Sequence, residues 1–71
     1  MRYEVKAPMP AKVLAFNVKP GDAVTDDTVV ATVESMKMEL PIYAGASGTV
    51  SEIVAAPNAL LNQDDLVLII E

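Results

Sequence analysis

Apolar and polar side chains alternate along several short segments of the chain. In residues 3–7 and 38–43, every second side chain is apolar. This spacing is typical of a strand that buries one face, so both segments are predicted to be strands. Residues 29–33 and 66–70 are mostly apolar and rich in branched side chains, and each closely follows a pair of aspartates. These two runs are predicted to be buried strands.

Prolines and glycines interrupt the chain often. The sequence holds five prolines and three glycines, and no stretch between them has the clean apolar spacing of a helix of about ten residues or more. Val50, Ile53 and Val54 have the spacing of a helical face. An internal repeat favours a strand for this segment as well.

The repeat appears when the sequence is shifted by 37 residues. Apolar positions and turn residues then coincide: Val5 with Ile42, Ala7 with Ala44, Val13 with Val50, Phe16 with Ile53, Pro20 with Pro57, Val24 with Leu61, Asp27 with Asp64, Val29 with Leu66, Val33 with Ile70, and Glu34 with Glu71. Two copies of roughly four strands each predict an all-β fold, a flattened barrel or sandwich of two four-stranded antiparallel sheets with a pseudo-twofold axis. Residues 1–71 are expected to form a single domain.

The charge balance disfavours several partners. Ten acidic and five basic side chains give a net charge of -5, which would repel nucleic acid and an anionic membrane surface. No apolar run approaches the roughly 20 residues of a membrane-spanning helix, so no membrane insertion is expected. No charged-then-apolar signal segment opens the sequence, and we expect a cytoplasmic protein.

Missing residue types limit the chemistry as well. The sequence contains no histidine and no cysteine, so the usual structural zinc sites, the commonest general base and the thiol nucleophile are all absent. We therefore expect no metal site and no catalytic residue in this chain. Lys37 is the last basic residue, and the five charged side chains that follow it are all acidic.

The two copies of the repeat meet at residues 34–39, between two predicted strands. A tight hairpin is the natural connection, with Met36 and Lys37 at its tip. Methionines beside a projecting lysine bury little apolar surface within the domain, which indicates a contact surface. The alternative is an ordinary turn whose methionines fold back onto the barrel.

The residues at this junction resemble the biotin attachment sequence of biotinyl domains, whose central lysine is acylated: Glu34, Ser35, Met36, Lys37, Met38 and Glu39. Residues 7–10 resemble the segment that opens these domains, residues 18–24 their glycine-aspartate turn, and residues 48–50 the start of their second half. Lys37 lies midway between the copies, as the family's hammerhead arrangement requires. Ala11 and Asp27 stand where glycine is common in the family.

The resemblance implies a carrier without catalytic residues. A biotin protein ligase would join biotin to Lys37 through an amide, with Met36 and Met38 in the recognition surface and Glu34, Ser35 and Glu39 flanking it. The biotin would carry carboxylate from a biotin carboxylase to a carboxyltransferase. Tethering near both active sites raises the effective concentration of the reactive group.

Two other functions stay open at the level of the sequence. Lipoyl domains of the same fold attach lipoate to a lysine at an equivalent hairpin, although they typically place an acidic residue where this chain has Met36. Small attachment proteins of the family could accept either group. The remaining alternative is an unmodified binding or structural module whose hairpin serves only as a contact surface.

Overall fold

A computed structural model describes residues 2–71, whose regular structure consists of eight β-strands. They are β1 (Tyr3–Lys6), β2 (Ala11–Phe16), β3 (Ala23–Val24), β4 (Val29–Ser35), β5 (Met38–Tyr43), β6 (Gly48–Ile53), β7 (Leu60–Leu61) and β8 (Leu66–Ile70). Frequent turn residues keep these strands short. The described range contains no helix, and therefore none that is long and apolar enough to cross a membrane.

The strands form two four-stranded sheets. One has the strand order β1-β8-β6-β3 and the other has the order β5-β4-β2-β7. All neighbouring strands run antiparallel. β6, whose sequence also has helical spacing, is a strand because it is hydrogen-bonded to a neighbour on each side. The predicted all-β arrangement of two four-stranded antiparallel sheets is confirmed.

The internal repeat extends to the backbone hydrogen bonds. A shift of 37 residues moves β2 onto β6 and β3 onto β7, and it converts the strand order of one sheet into that of the other. The main-chain N–H of Gly21 donates to the carbonyl of Val50 at 2.8 Å. The N–H of Asn58 donates to the carbonyl of Val13 at the same distance. The predicted pseudo-twofold relation is therefore present in the strands and in the loops.

Apolar side chains fill the space between the sheets. No polar or charged residue of the described range is buried, so the core carries no desolvation cost of that kind. Val33 and Ile70, which are equivalent in the repeat, are each 1% exposed. β8 is buried on both faces, since the consecutive residues 67–70 are all buried. This explains why its sequence is an unbroken apolar run.

Left-handed backbone marks several of the turns. Gly21 has φ of 96° and Asn58, its equivalent, has φ of 67°, because asparagine tolerates this region better than most residues. Asp64 also has a positive φ, of 71°, whereas Asp27 at the equivalent position does not. Ala11 needs no left-handed conformation either, since it begins β2 and is buried. The fold thus accommodates a residue other than glycine at both Ala11 and Asp27.

Candidate functional site

The junction between the two copies is a tight β-hairpin. β4 ends at Ser35 and β5 begins at Met38, so only Met36 and Lys37 lie between the strands. Their φ angles are 54° and 63°. Two positive values in a two-residue loop define a type I′ turn, whose twist matches that of the flanking strands. The predicted hairpin is present, with Met36 and Lys37 at its tip.

This turn is built from residues that do not favour it. Type I′ turns prefer asparagine and glycine, and a left-handed conformation costs other residues about 1–2 kcal/mol each. Met36 and Lys37 both bear this cost. The ladder between β4 and β5 compensates, since it continues from the turn as far as the pair Val29 and Tyr43. Strain of this kind is typical of functional positions that the surrounding structure holds in place.

The methionines of the hairpin face solvent. Met36 is 92% exposed and Met38 is 61% exposed, and Lys37 between them is also exposed. The alternative in which the methionines fold back onto the barrel is therefore wrong. An apolar side chain so fully exposed contributes almost nothing to folding, and it is available for contact with another molecule.

No carboxylate of the described range holds the Lys37 amine. Throughout residues 2–71 the one ion pair joins Arg2 and Glu4, at 3.1 Å. Glu34 and Glu39 face each other as a cross-strand pair in the ladder, and both are exposed. They flank the base of the hairpin, while the tip projects beyond them.

The acidic pair belongs to a row that crosses the whole sheet. Leu60 in β7 pairs with Lys12 in β2, Lys12 pairs with Glu34 in β4, and Glu34 pairs with Glu39 in β5. All four residues are exposed, Leu60 by 80%. No motif in the sequence marks Lys12 or Leu60 as part of this surface. Their position depends on the pairing of distant strands, for which only the repeat gives a signal.

A hydrogen bond connects the hairpin to the loop between β1 and β2. The hydroxyl of Ser35 donates to the main-chain carbonyl of Pro10 at 3.0 Å. The same loop contains Met9, which is 37% exposed. Ser35 therefore anchors the base of the hairpin to the opening segment, and its role in the structure is to position the turn.

A surface groove elsewhere in the molecule is a weaker candidate for the site. An open surface groove is lined by Phe16, Asn17, Val18, Lys19 and Asp22. The carboxylate of Asp22 accepts a hydrogen bond from the Lys19 main chain, and the amide oxygen of Asn17 accepts one from Thr32, so both groups have structural partners. Residues 2–71 contain no cluster of three or more potential metal-binding side chains. The hairpin is the candidate site.

Comparison with known protein families gives a match over nearly the whole chain. The biotin/lipoyl family, described as "Biotin-requiring enzyme", matches residues 3–70. This range contains the hairpin and both copies of the repeat.

Curated proteins with similar sequences fall into two groups by length. The chain is 36% identical to the biotinylated protein TB7.3 homolog of Mycobacterium leprae over 70 residues, covering 99% of each. It is 38% identical to the biotin/lipoyl attachment protein of Bacillus subtilis over 64 residues, covering 90% of this chain and 88% of that protein. It is also 36% identical over 67 residues to the human mitochondrial propionyl-CoA carboxylase alpha chain, covering 94% of this chain but only 9% of that one.

Solved structures of the same fold come from carboxylases and from lipoyl domains. The urea carboxylase of Kluyveromyces lactis superimposes with a TM-score of 0.93 and 24% identity, covering 100% of this chain and 6% of the other. The lipoyl domain of the 2-oxoglutarate dehydrogenase complex from Azotobacter vinelandii superimposes with a TM-score of 0.78 and 26% identity, covering 96% and 94%. The fold is thus shared by proteins that differ in function.

Proposed function

The chain belongs to the biotin/lipoyl family, and from this premise we propose that it is a biotin carboxyl carrier with biotin attached to Lys37. The observation that carries the proposal is the exposure of Lys37 at the tip of a strained two-residue turn. The family match and the similarity to biotinylated proteins support the choice of biotin. Residues 1–71 would act as one attachment domain in the cytoplasm.

The hairpin geometry suits acylation of Lys37 by a biotin protein ligase. The Nζ atom, once deprotonated, attacks the carbonyl carbon of biotinyl-adenylate. A C–N amide bond forms, the bond from carbon to the phosphate oxygen breaks, and AMP leaves. No carboxylate of the described residues pairs with the amine, so the ligase does not have to break an ion pair to reach it.

The flanking side chains supply the recognition surface in this proposal. Met36 and Met38 offer flexible thioethers, which adapt to partners of different shape. Glu34 and Glu39 present negative charge at the base of the hairpin. Ser35 holds the turn in place through its hydrogen bond to Pro10.

Acylation also changes the charge of the surface around the hairpin. The amine of Lys37 becomes a neutral amide, so one positive charge is lost. Lys12, the one basic residue on the row that contains Glu34 and Glu39, then has no second lysine at the hairpin beside it. A partner of the loaded carrier would therefore meet a more acidic surface than the ligase does.

The partners of the loaded domain would be a biotin carboxylase and a carboxyltransferase. Biotin supplies a nitrogen that accepts carboxylate in one active site and releases it in the other. This chain contributes the tether, which raises the effective concentration of that group near both sites. Catalytic residues and the choice of acceptor would reside in the partner proteins or domains.

Lipoate is the second candidate for the group on Lys37. The similarity to the Bacillus subtilis biotin/lipoyl attachment protein and to a lipoyl domain supports lipoate as a candidate. Met36 argues for biotin, because lipoyl domains typically carry an acidic residue at that position. A lipoyl carrier would serve acyl transfer instead of carboxyl transfer.

The test is an intact-mass measurement of the purified chain after incubation with a biotin protein ligase, ATP and biotin. A parallel reaction contains a lipoate ligase, ATP and lipoate, and peptide mapping locates each adduct. We expect one biotin per chain, on Lys37 and not on Lys6, Lys12 or Lys19. Uptake of lipoate alone would contradict the proposal of a carboxyl carrier and support that of a lipoyl carrier.

The matched control is Lys37→Arg, which keeps the charge and the length of the side chain but cannot form the amide. This variant should take up neither group while its thermal unfolding stays within a degree or two of the parent, because an exposed tip residue contributes little to stability. If Lys37→Arg still gains one biotin, attachment is elsewhere and the proposal fails.

A further inference from the structure

The three methionines that the structure describes form a graded series of exposure. Met36 is 92% exposed, Met38 is 61% exposed and Met9 is 37% exposed. Methionine is among the residues most often found in protein interiors, so a nearly free thioether is unusual. The sequence contains no cysteine. An oxidant that reacts with sulfur can therefore react only with methionine in this chain.

The backbone keeps Met36 in this exposed position. Met36 occupies the first position of the two-residue turn with φ of 54°, and the register on either side is fixed by the pair Ser35 and Met38. Ser35 is itself anchored to Pro10. Moving the Met36 side chain onto the barrel would require the turn and its anchored base to rearrange.

We propose that Met36 is a reversible oxidation site that controls the loading of Lys37. A lone pair of the Met36 sulfur attacks one oxygen of hydrogen peroxide, the O–O bond breaks and an S–O bond forms. Proton transfer then releases water. The thioether is oxidised by two electrons to the sulfoxide and peroxide is reduced. Methionine sulfoxide reductases, one for each sulfoxide epimer, restore the thioether: a dithiol supplies two electrons and two protons, the oxygen leaves as water and the dithiol becomes a disulfide.

The effect on loading follows from the change in the side chain. Oxidation converts a flexible apolar group into a polar and chiral one, which disrupts methionine-rich contact surfaces. Met36 immediately precedes Lys37, so any ligase that reaches the amine contacts this position. The inference rests on the proposed function, because it concerns the same hairpin. Met36 sulfoxide should slow the transfer of biotin to Lys37.

The first experiment locates the oxidation without using a ligase. The purified chain is treated with increasing hydrogen peroxide, quenched, and mapped by peptide mass spectrometry. We expect Met36 to gain one oxygen first, Met38 next and Met9 last, with Met36 reacting at least about twofold faster than Met9 because its sulfur is more accessible. Equal rates at the three positions, or a faster reaction at Met9, would overturn the assignment of the site.

The second experiment measures loading. Chains that carry a single oxygen on Met36 are incubated with biotin protein ligase, ATP and biotin, and the initial rate of mass gain is compared with that of untreated chains. We expect a decrease of several-fold that the two methionine sulfoxide reductases, supplied with a dithiol as reductant, reverse. A rate equal to that of untreated chains would overturn the regulatory role.

Two variants separate Met36 from the other methionines. Met36→Leu is compared with itself before and after a peroxide dose that, in the parent chain, oxidises Met36 and leaves Met38 unmodified. Its rate should not change at this dose, whereas Met9→Leu should remain sensitive. Sensitivity that persists in Met36→Leu would overturn the role of Met36. If untreated chains take up no biotin, the proposed function fails and the regulatory role falls with it, while peptide mapping still decides the oxidation site.

Discussion

Ser35 Oγ donates a hydrogen bond of 3.0 Å to the main-chain carbonyl of Pro10. The two residues are far apart in the sequence, and their contact joins the last residue of β4 to the loop that precedes β2. Because Ser35 also pairs with Met38, the bond acts at the point where the hairpin leaves the sheet. It positions the turn that carries Lys37 without involving the lysine itself.

Loss of this bond should loosen the hairpin more than the domain. Ser35→Ala should lower the free energy of unfolding by about 0.5–1 kcal/mol, the lower part of the range for a single hydrogen bond, because the group is partly exposed. Amide hydrogen exchange should accelerate around Met36 and Lys37 by more than in the core strands. Chemical denaturation and hydrogen exchange check the two effects.

Ser35→Thr is the matched control for this prediction. It retains the hydroxyl, and threonine is favoured in strands. Exchange near the tip should then stay close to that of the parent. Faster exchange in Ser35→Thr, equal to that in Ser35→Ala, would show that the hydroxyl does not hold the hairpin.

The strain at the tip predicts a stabilising substitution. Met36→Asn places a residue that tolerates positive φ at the first position of the type I′ turn. We expect the free energy of unfolding to rise by about 0.5–1 kcal/mol, part of the cost of a left-handed conformation for methionine. Thermal or chemical denaturation measures it. Met38→Asn, in a strand rather than the turn, should give no gain, and equal effects at both positions would argue against strain.

Much of the fold could be predicted because sheet formation follows local patterns that the repeat amplifies. The spacing of two in residues 38–43 and the apolar run 66–70 each predict a strand, and both are present. The repeat predicts that β6 is a strand, which its own sequence does not, because the spacing of Val50 and Ile53 would also suit a helix. Their counterparts Val13 and Phe16 lie in the same strand position of the other copy.

The remaining features depend on geometry that the sequence does not encode locally. The sequence predicts a hairpin tip at Met36 and Lys37, but neither residue indicates a left-handed turn, and the strain comes from the ladder on both sides. Leu60 would be expected inside from its side chain alone, yet it is 80% exposed on a two-residue edge strand. Leu61, its neighbour in the same strand, is 8% exposed, so burial there depends on which face of the sheet the side chain lies on.

The repeat makes a paired prediction about the core. Val33 and Ile70 are equivalent and each is 1% exposed. Val33→Ala should cost about 1–3 kcal/mol and Ile70→Ala about 2–5 kcal/mol, since both remove buried methyl groups and leave a cavity. Denaturant titration measures the loss. Val54→Ala is the control, because Val54 is 45% exposed and should cost about 0.5 kcal/mol or less. A negligible loss at Val33 or Ile70 would contradict a shared core.

Gly48 and its equivalent in the first copy, Ala11, differ in the space that the fold leaves for a Cβ atom. A Cβ atom at Gly48 would lie 2.6 Å from the main-chain oxygen of Glu71 and 2.8 Å from the Cγ2 atom of Ile70. The first of these contacts is with backbone that is fixed by mutual hydrogen bonds between Glu71 and Thr49, both of 2.8 Å. The equivalent position in the first copy, Ala11, accommodates a Cβ atom within β2.

Gly48→Ala should therefore destabilise the domain by about 2 kcal/mol or more, through overpacking against a backbone that cannot yield. Gly21→Ala is the matched control, because its φ of 96° imposes strain but a Cβ atom there would meet nothing within 4 Å. Gly48 also has a positive φ, of 159°, so Gly48→Ala bears a backbone cost in addition to the contact, whereas Gly21→Ala bears the backbone cost alone. Denaturant titration of both variants compares the two losses. The larger loss should occur at Gly48, and an equal or larger loss at Gly21 would mean that backbone strain, and not the contact with Glu71, determines where this fold requires glycine.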